Sequence, residues 1–270
     1  MIAEFTVSNF FSIRSEQRLS FIASRDSFME EEYIHPASDS VRLLKTGMIY
    51  GSNASGKSNV LKALAYFRRL MVYSPSDKNE KMGWVPFLLD DASRSGHCIM
   101  SMTFYLDGKR YILSVEFDGT RIYEEQLDVY LTNRPTSLYR RTYNRGTDSS
   151  EVTFSTKAKM SQKSQTIIEG NTINNSTVMA AFGKSNVELS LLNSVYNFFS
   201  LGFADELTPE KSLSDYTKEL LAKDSDGKLK RFLLYMLRAS DFNIDNLKLG
   251  MASDERELYF EHSANGESFE

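Results

Sequence analysis

Residues 51–58 form a complete phosphate-binding loop, G-x-x-x-x-G-K-[ST], and this motif limits the folds open to the chain more than any other feature. Its glycines let the backbone curl so that successive N–H groups face phosphate oxygens. Lys57 is expected to reach the β- and γ-phosphates as the catalytic cation, and the Ser58 hydroxyl to bind Mg²⁺. The predicted nucleotide-binding residues are Gly51, Ser52, Asn53, Ala54, Ser55, Gly56, Lys57, Ser58 and Asn59.

The flanks of the loop fit a strand–loop–helix unit. Residues 46–50 are mostly apolar and predict a short strand that enters the loop. Residues 59–73 predict a helix that leaves it, because apolar side chains recur there at helical spacing. These are Val60, Ala63, Leu64, Phe67 and Met71. The positive end of this helix would lie at the phosphates.

Composition excludes several classes of protein. With 270 residues, 41% of them hydrophobic and 25% charged, the chain predicts a soluble globular protein. The net charge of −4 does not indicate nucleic-acid binding by the chain as a whole, so such binding would need a local basic patch. Cys98 is the single cysteine, which excludes an internal disulfide and favours the reducing cytoplasm. No signal peptide and no membrane span are expected.

Further elements follow from turn signals and periodicity. Residues 1–24 predict a hairpin that turns at 9–16, and residues 97–143 predict antiparallel strands at 97–106, 109–117, 121–132 and 137–143. The polar stretch 155–176 predicts a loop. Helices are expected at 187–199, 212–223 and 228–239, and strands at 245–250 and 256–262.

Two motifs together suggest a family. The N-F-x-S element at 9–12 precedes G-x-N-x-S-G-K-S-N at 51–59. This arrangement resembles the ATPase heads of the SMC/RecF type within the ABC ATPase superfamily. It most nearly resembles the prokaryotic AAA-type ATPases related to overcoming-lysogenisation-defect (OLD) proteins, many of which act in anti-phage defence.

The resemblance implies an α/β P-loop NTPase of the ABC-head type, with a mixed core sheet, an antiparallel β-meander layer and a helical lobe. It implies a nucleotide-binding lobe at 1–176, a helical lobe at 177–244 and strands that return to the core at 245–270. The implied cofactors are ATP and Mg²⁺. The implied partners are a second head, giving a homodimer or higher oligomer, and a nuclease or toxin effector.

Two parts of an ABC-type head are not found. Residues 87–91 have the apolar-then-acidic form of a Walker B strand, but Pro86 adjoins them and a proline fits poorly in a central strand. Residues 223–227 resemble a signature loop, yet a turn between helices is the preferred interpretation. We therefore expect the N-terminal part of a longer ATPase, which alone binds ATP without efficient turnover.

Other residues admit two interpretations each. Gln126 is either a Q-loop residue that helps to hold Mg²⁺ or an ordinary exposed strand glutamine. Arg14 either approaches the nucleotide, as basic residues of related heads do, or is a solvated turn residue. A basic stretch is either a DNA contact or a solvated sheet edge. It comprises Arg134, Arg140, Arg141, Arg145, Lys157 and Lys159, with Tyr139 and Tyr143 interleaved.

Three functions remain open at this stage. The first is an ATP-driven switch in anti-phage defence or DNA maintenance. The second is a stand-alone P-loop enzyme of the kinase type, which the long antiparallel meander disfavours. The third is a regulatory module that binds nucleotide without hydrolysis. His35, His97 and His262 are too scattered to suggest a metal site or a catalytic base.

Overall fold

A computed structural model describes residues 1–53, 55–132, 134–203, 211–240, 244–252, 255–264 and 267–269. The chain divides into two compact units, Met1–Glu206 and Leu207–Glu270. The boundaries expected at 176 and 244 for functional lobes stay predictions.

The first unit contains most of the regular structure. Its strands are β1 (Ile2–Ser8), β2 (Gln17–Ser20), β3 (Ile34–Ser38), β4 (Val41–Leu44), β5 (Cys98–Leu106), β6 (Lys109–Phe117), β7 (Ile122–Tyr130), β8 (Pro135–Asn144) and β9 (Ser149–Phe154). Its helices are α1 (Glu30–Tyr33), α2 (Lys57–Val72), α3 (Asp91–Arg94), α4 (Gln162–Asn171), α5 (Val178–Lys184) and α6 (Ser190–Ser200).

A seven-stranded sheet in the order β2-β1-β5-β6-β7-β8-β9 is the centre of this unit. Its neighbouring strands pair antiparallel, which confirms the predicted N-terminal hairpin and meander. One register row of the inner face is Phe5, Met102, Leu113, Leu127 and Tyr139. This face packs against the helices, and α2 contributes Phe67, whose ring centroid lies 5.6 Å from that of Phe5.

The outer face of the sheet carries a smaller apolar cluster. The hairpin of β3 and β4 covers one part of the outer face, where Ala37 and Leu43 of the hairpin pack with Ala3 of the sheet. Elsewhere the outer face is polar and half-exposed. This division follows the alternation of side chains along the strands, and a register shift between Ile2 and Glu4 turns Ala3 to the outer face.

The strand predicted at 46–50 is not present. Residues 46–50 have no regular secondary structure, and Met48 and Tyr50 are 86% and 92% exposed. An apolar run becomes a strand only where a neighbouring strand satisfies its backbone groups. Since the described strand pairs are all antiparallel, the expected mixed core sheet is also absent from the described residues.

Both helices predicted within the first unit are present. Helix α2 covers the predicted 59–73 segment up to Val72, and α6 lies close to the predicted 187–199 segment. The loop predicted at 155–176 is wrong in part, because it contains α4. Ser161 caps this helix by accepting a hydrogen bond from the Ser164 N–H, and the helix buries the side chain of its own Ile168.

A strap of residues 174–177 joins three parts of the unit. Asn175 Nδ2 donates to the carbonyls of Asp77 and Glu80 at 2.9 Å each. Ser176 Oγ donates to Ser74 Oγ at 2.9 Å, and Thr177 Oγ1 donates to the carbonyl of Leu70, near the end of α2, at 2.6 Å. The strap therefore fixes the far end of the helix that leaves the phosphate-binding loop.

Buried polar groups of the sheet hold the strap from below. Arg141 donates to the carbonyls of Ile173, Asn174 and Ser176. Glu125 accepts hydrogen bonds from the Val178 N–H and the Tyr139 hydroxyl, both at 2.7 Å. Burial raises the pKa of Glu125 and lowers that of Arg141 to about 10. Their hydrogen bonds offset part of this desolvation.

The second unit is a small α/β assembly. Helices α7 (Lys211–Ala222) and α8 (Lys228–Ala239) pack on the strands β10 (Asn246–Ala252) and β11 (Glu255–Ala264), and β12 (Glu267–Phe269) extends the sheet. The residues between the two helices form a turn, as preferred above for 223–227. Both predicted helices and both predicted strands are confirmed.

Gly183 permits a close contact between α5 and α6. A Cβ atom at this position would lie 2.2 Å from Cε2 of Tyr196, whereas a Cβ at Gly170 in α4 would meet nothing within 4 Å. Overpacking of this kind costs about 1–3 kcal/mol. Urea unfolding should therefore show that Gly183→Ala lowers the free energy of unfolding. The matched Gly170→Ala change should leave it equal or slightly higher, because alanine favours a helix. Equal effects of the two changes would contradict this packing.

Candidate nucleotide-binding site

Helix α2 begins inside the phosphate-binding loop, and Gly56 is its N-cap. Gly56 has φ of 91°, in the left-handed region, and no side chain caps the helix. The Asn59 N–H donates to the Gly56 carbonyl at 2.9 Å, whereas the N–H groups of Lys57 and Ser58 lack an intrahelical partner and are available to an anion. Ala54 lies outside the described residues.

Lys57 is folded over its own loop. Its Nζ donates to the carbonyls of Gly51 at 2.9 Å and Ser52 at 2.7 Å. An ammonium group has three donors, so these contacts hold it in place and can be exchanged for phosphate oxygens. The ammonium group of Lys57 thus lies at the first two residues of its own loop.

The turn of the β1–β2 hairpin lies beside the loop. Ser12 Oγ accepts a hydrogen bond from Asn59 Nδ2 at 2.7 Å. A Cβ atom added at Gly56 would lie 3.0 Å from the same oxygen. Sequence reasoning did not assign Ser12, although it is the serine of the N-F-x-S element. The motif was the signal that could have identified it.

Two cavities border this arrangement. A cavity of about 500 Å³ lies between the hairpin and the loop, and its lining combines Arg14 and Lys57 with apolar side chains such as Ile13 and Val60. A second of about 340 Å³ is lined by Ser12, Ser58, Asn59 and three other loop residues. The first has the size of an ordinary ligand site. No carboxylate occurs in either lining among the described residues.

Arg14 lines the larger cavity and is held there by Asp90. Its Nε lies 3.1 Å from Asp90 Oδ2. Hydrogen bonds from Ser93 lower the pKa of Asp90. The position is compatible with either role considered for Arg14.

Residues 87–91 are not a Walker B strand. They contain no strand, and Asp90 caps the short helix α3 through the Ser93 N–H. The buried amide of Asn9 organises this segment. Its Nδ2 donates to the carbonyls of Ser93 at 2.8 Å and His97 at 3.2 Å, and its Oδ1 accepts from the Phe87 N–H at 2.9 Å.

Gln126 is not brought to the site. It lies on β7 in register with Ser114 and Arg140, on the outer face, whereas α2 packs on the inner face. Its Nε2 donates to the carboxylate of Asp128, on the same strand. The predicted magnesium role is therefore wrong for Gln126. Ser58 lies in the first turn of α2 and lines the smaller cavity. Among the described residues no cluster of three or more histidine, cysteine, aspartate or glutamate side chains could hold a metal.

The basic stretch at 134–159 does not form one surface. Adjacent residues of β8 point to opposite faces, so Arg140 is exposed and pairs with Glu124, whereas Arg141 is fully buried. Tyr139 is also buried. Arg141 is therefore excluded from the predicted DNA contact, and Arg134, Arg145, Lys157 and Lys159 remain exposed.

Comparison with protein families shows to which family the chain belongs. Residues 48–191, more than half of the chain, match the model of an AAA domain family that is described as a candidate AbiEii toxin of a type IV toxin–antitoxin system. The chain belongs to this AAA domain family. No curated protein matches the chain.

Membership of an AAA domain family implies that the chain is a P-loop NTPase and that it binds a nucleotide. The matched range contains the loop, α2 and the sheet from β5 to β9. In the parts of the chain that the structure describes, none of the helices has both the length and the apolar character needed to cross a bilayer.

Gly56 provides a test of the loop in this AAA domain. Gly56→Ala would place a Cβ 3.0 Å from Ser12 Oγ at φ of 91°, and Gly108→Ala would meet no atom within 4 Å at φ of 70°. Left-handed strain costs about 1–2 kcal/mol at either position. We expect similar losses of stability, but a fall in ATP affinity of about tenfold for Gly56→Ala alone. Calorimetric titration measures this, and equal ATP affinities of the two variants would contradict it.

Proposed function

We propose that this AAA domain binds ATP·Mg²⁺ at residues 51–59 and acts as the ATP-driven switch of a defence system. The observation that carries the proposal is the position of Lys57, whose ammonium lies over the carbonyls of Gly51 and Ser52 beside the uncapped start of α2. A cation and free N–H groups at one point are suited to a polyphosphate. In this proposal Ser58 binds Mg²⁺, and Arg14 lies close to the nucleotide in the larger cavity.

The biological role and the partners are part of the proposal. The family description names the AbiEii toxin and type IV toxin–antitoxin systems, which supports a role in anti-phage defence. We propose a nuclease or toxin as the effector and the cytoplasm as the location. A DNA contact through the exposed members of the basic stretch is retained as a proposal, with Arg141 removed.

Exposed apolar side chains near the site support pairing of two ATPase heads. Met48 is 86% exposed, Tyr50 92% and Leu89 85%. Leu89 precedes Asp90, the partner of Arg14, and Tyr50 adjoins the first glycine of the loop. Apolar groups grouped around a ligand site are typical of interaction surfaces. We therefore propose that two chains associate around bound ATP.

The alternatives are a kinase-like enzyme and a module that binds nucleotide without hydrolysis. The antiparallel sheet beside α2 favours the switch over a kinase, which would be expected to have a compact parallel sheet. The absence of a carboxylate from the described linings of both cavities favours slow hydrolysis by this chain alone.

The binding proposal is tested by Lys57→Ala. This change removes the full positive charge from the start of α2, and a charge-assisted contact contributes about 1.5–3 kcal/mol. ATP affinity should fall by roughly tenfold to a hundredfold in calorimetric titration. The control is Lys62→Ala, which removes the same charge from an exposed position on α2. If both folded variants bind ATP like the original chain, the proposal fails.

Hydrolysis is tested separately by phosphate release. A carboxylate that orients the attacking water and donors from a facing subunit are needed for efficient turnover. The chain should therefore release phosphate at the rate of the Lys57→Ala blank. Light scattering of the same samples shows whether ATP pairs the chains. Turnover well above the blank in a monomer would instead favour the kinase-like alternative.

A further inference from the structure

A third cavity lies on the other side of the sheet, beneath the β3–β4 hairpin. It measures about 410 Å³ and shares no lining residue with the two cavities at the phosphate-binding loop. Three cross-strand neighbours on the outer face contribute to it, namely Tyr105, Arg110 and Tyr130. Arg25 and Arg42 complete a group of three guanidinium groups.

Two of these guanidinium groups are held in fixed positions. Cζ of Arg110 lies 3.5 Å from the ring centroid of Tyr130. Arg42 donates from Nη1 to the carbonyl of Ser24 at 3.0 Å and from Nη2 to that of Asp26 at 2.8 Å. Guanidinium groups fixed before binding lose little conformational entropy when a ligand arrives.

The balance of charge in this cavity is positive. Arg42 is paired with Glu30 at 2.9 Å, and Glu4, the one carboxylate in the described lining, lies 3.7 Å from Arg18. Within the described ranges Arg25 and Arg110 have no carboxylate partner. Two arginines in one cavity, neither of them paired with a carboxylate in the described ranges, favour an anionic ligand.

The rings define the rest of the ligand. Arg110 lies over one face of the Tyr130 ring, and the neighbouring ring of Tyr105 presents a surface on which a flat group can stack. The hydroxyls of Ser24 and Ser40 add hydrogen-bonding groups to the lining. The volume is within the range of sites for small molecules.

We propose that this cavity is a second ligand site, which binds a phosphate ester carrying a planar ring, the chemistry of a nucleotide unit. Arg25 and Arg110 bind the phosphate, and the ring stacks beside Tyr105 and Tyr130. The site is independent of the phosphate-binding loop and needs neither Lys57 nor Mg²⁺. The same chemistry is present in a free mononucleotide and in a unit of single-stranded nucleic acid.

The test uses the full chain with Lys57→Ala, so that the loop does not contribute and the outcome is separate from that of the proposed function. AMP is titrated calorimetrically, and a fluorescent oligothymidylate is titrated by anisotropy. Binding of AMP identifies a free nucleotide as the source, and binding of the oligonucleotide alone identifies a nucleic-acid strand. If neither probe binds, the proposal is overturned.

Variants then locate the binding. Arg110→Ala and Arg25→Ala should each weaken it about tenfold or more, and Arg110→Lys should weaken it less, since the charge remains. Lys109→Ala, which changes the neighbouring residue of β6 outside the cavity lining, should bind like the parent. Arg25 lies in an exposed loop, so Arg25→Ala decides the matter if Arg110→Ala unfolds. Equal binding by Arg25→Ala and Lys109→Ala would overturn the proposal.

Discussion

The strap of residues 174–177 is the constraint on which the arrangement of the first unit depends. From one side Arg141 and Glu125 bind it and the start of α5, and from the other Thr177 holds the carbonyl of Leu70 in α2. These partners are buried, so each lost contact would leave a desolvated polar group unpaired. Glu125 and Arg141 therefore connect the sheet, the helices and the helix of the phosphate-binding loop.

The start of α2 is organised differently from its far end. It has no side-chain cap, and its neighbours are the hairpin turn with Ser12 and the folded Lys57. A helix fixed at its C-terminal end and open at its N-terminal end presents free N–H groups at a defined place. The Asn9 amide and the Asp90–Arg14 pair shape the side of the larger cavity. The site is thus assembled from both strands of the β1–β2 hairpin, its turn and the phosphate-binding loop.

The sequence was sufficient where local chemistry decides the structure. The apolar stripe of α2, the hairpins with Asp107–Gly108 at one turn and the amphipathic α8 are local patterns, and each was predicted correctly. It failed where a distant partner decides. Residues 46–50 have strand composition but no strand beside them, and α4 was hidden in a polar segment. Arg141 resembled a surface arginine because its buried carbonyl partners lie 32–35 residues away. The two interpretations of Gln126 stayed open because strand alternation alone does not say which face α2 covers.

The central claim is that the loop between the β1–β2 hairpin and α2 binds ATP, and hydrogen–deuterium exchange tests it most directly. Exchange would be measured with Mg²⁺ alone, with ATP·Mg²⁺ and with AMP. The account predicts slower exchange with ATP·Mg²⁺ in peptides that cover residues 51–59 and the turn at 12–14. AMP should change these peptides little, because it lacks the β- and γ-phosphates that Lys57 is proposed to bind. Unchanged exchange at 51–59 under saturating ATP·Mg²⁺ would contradict the account.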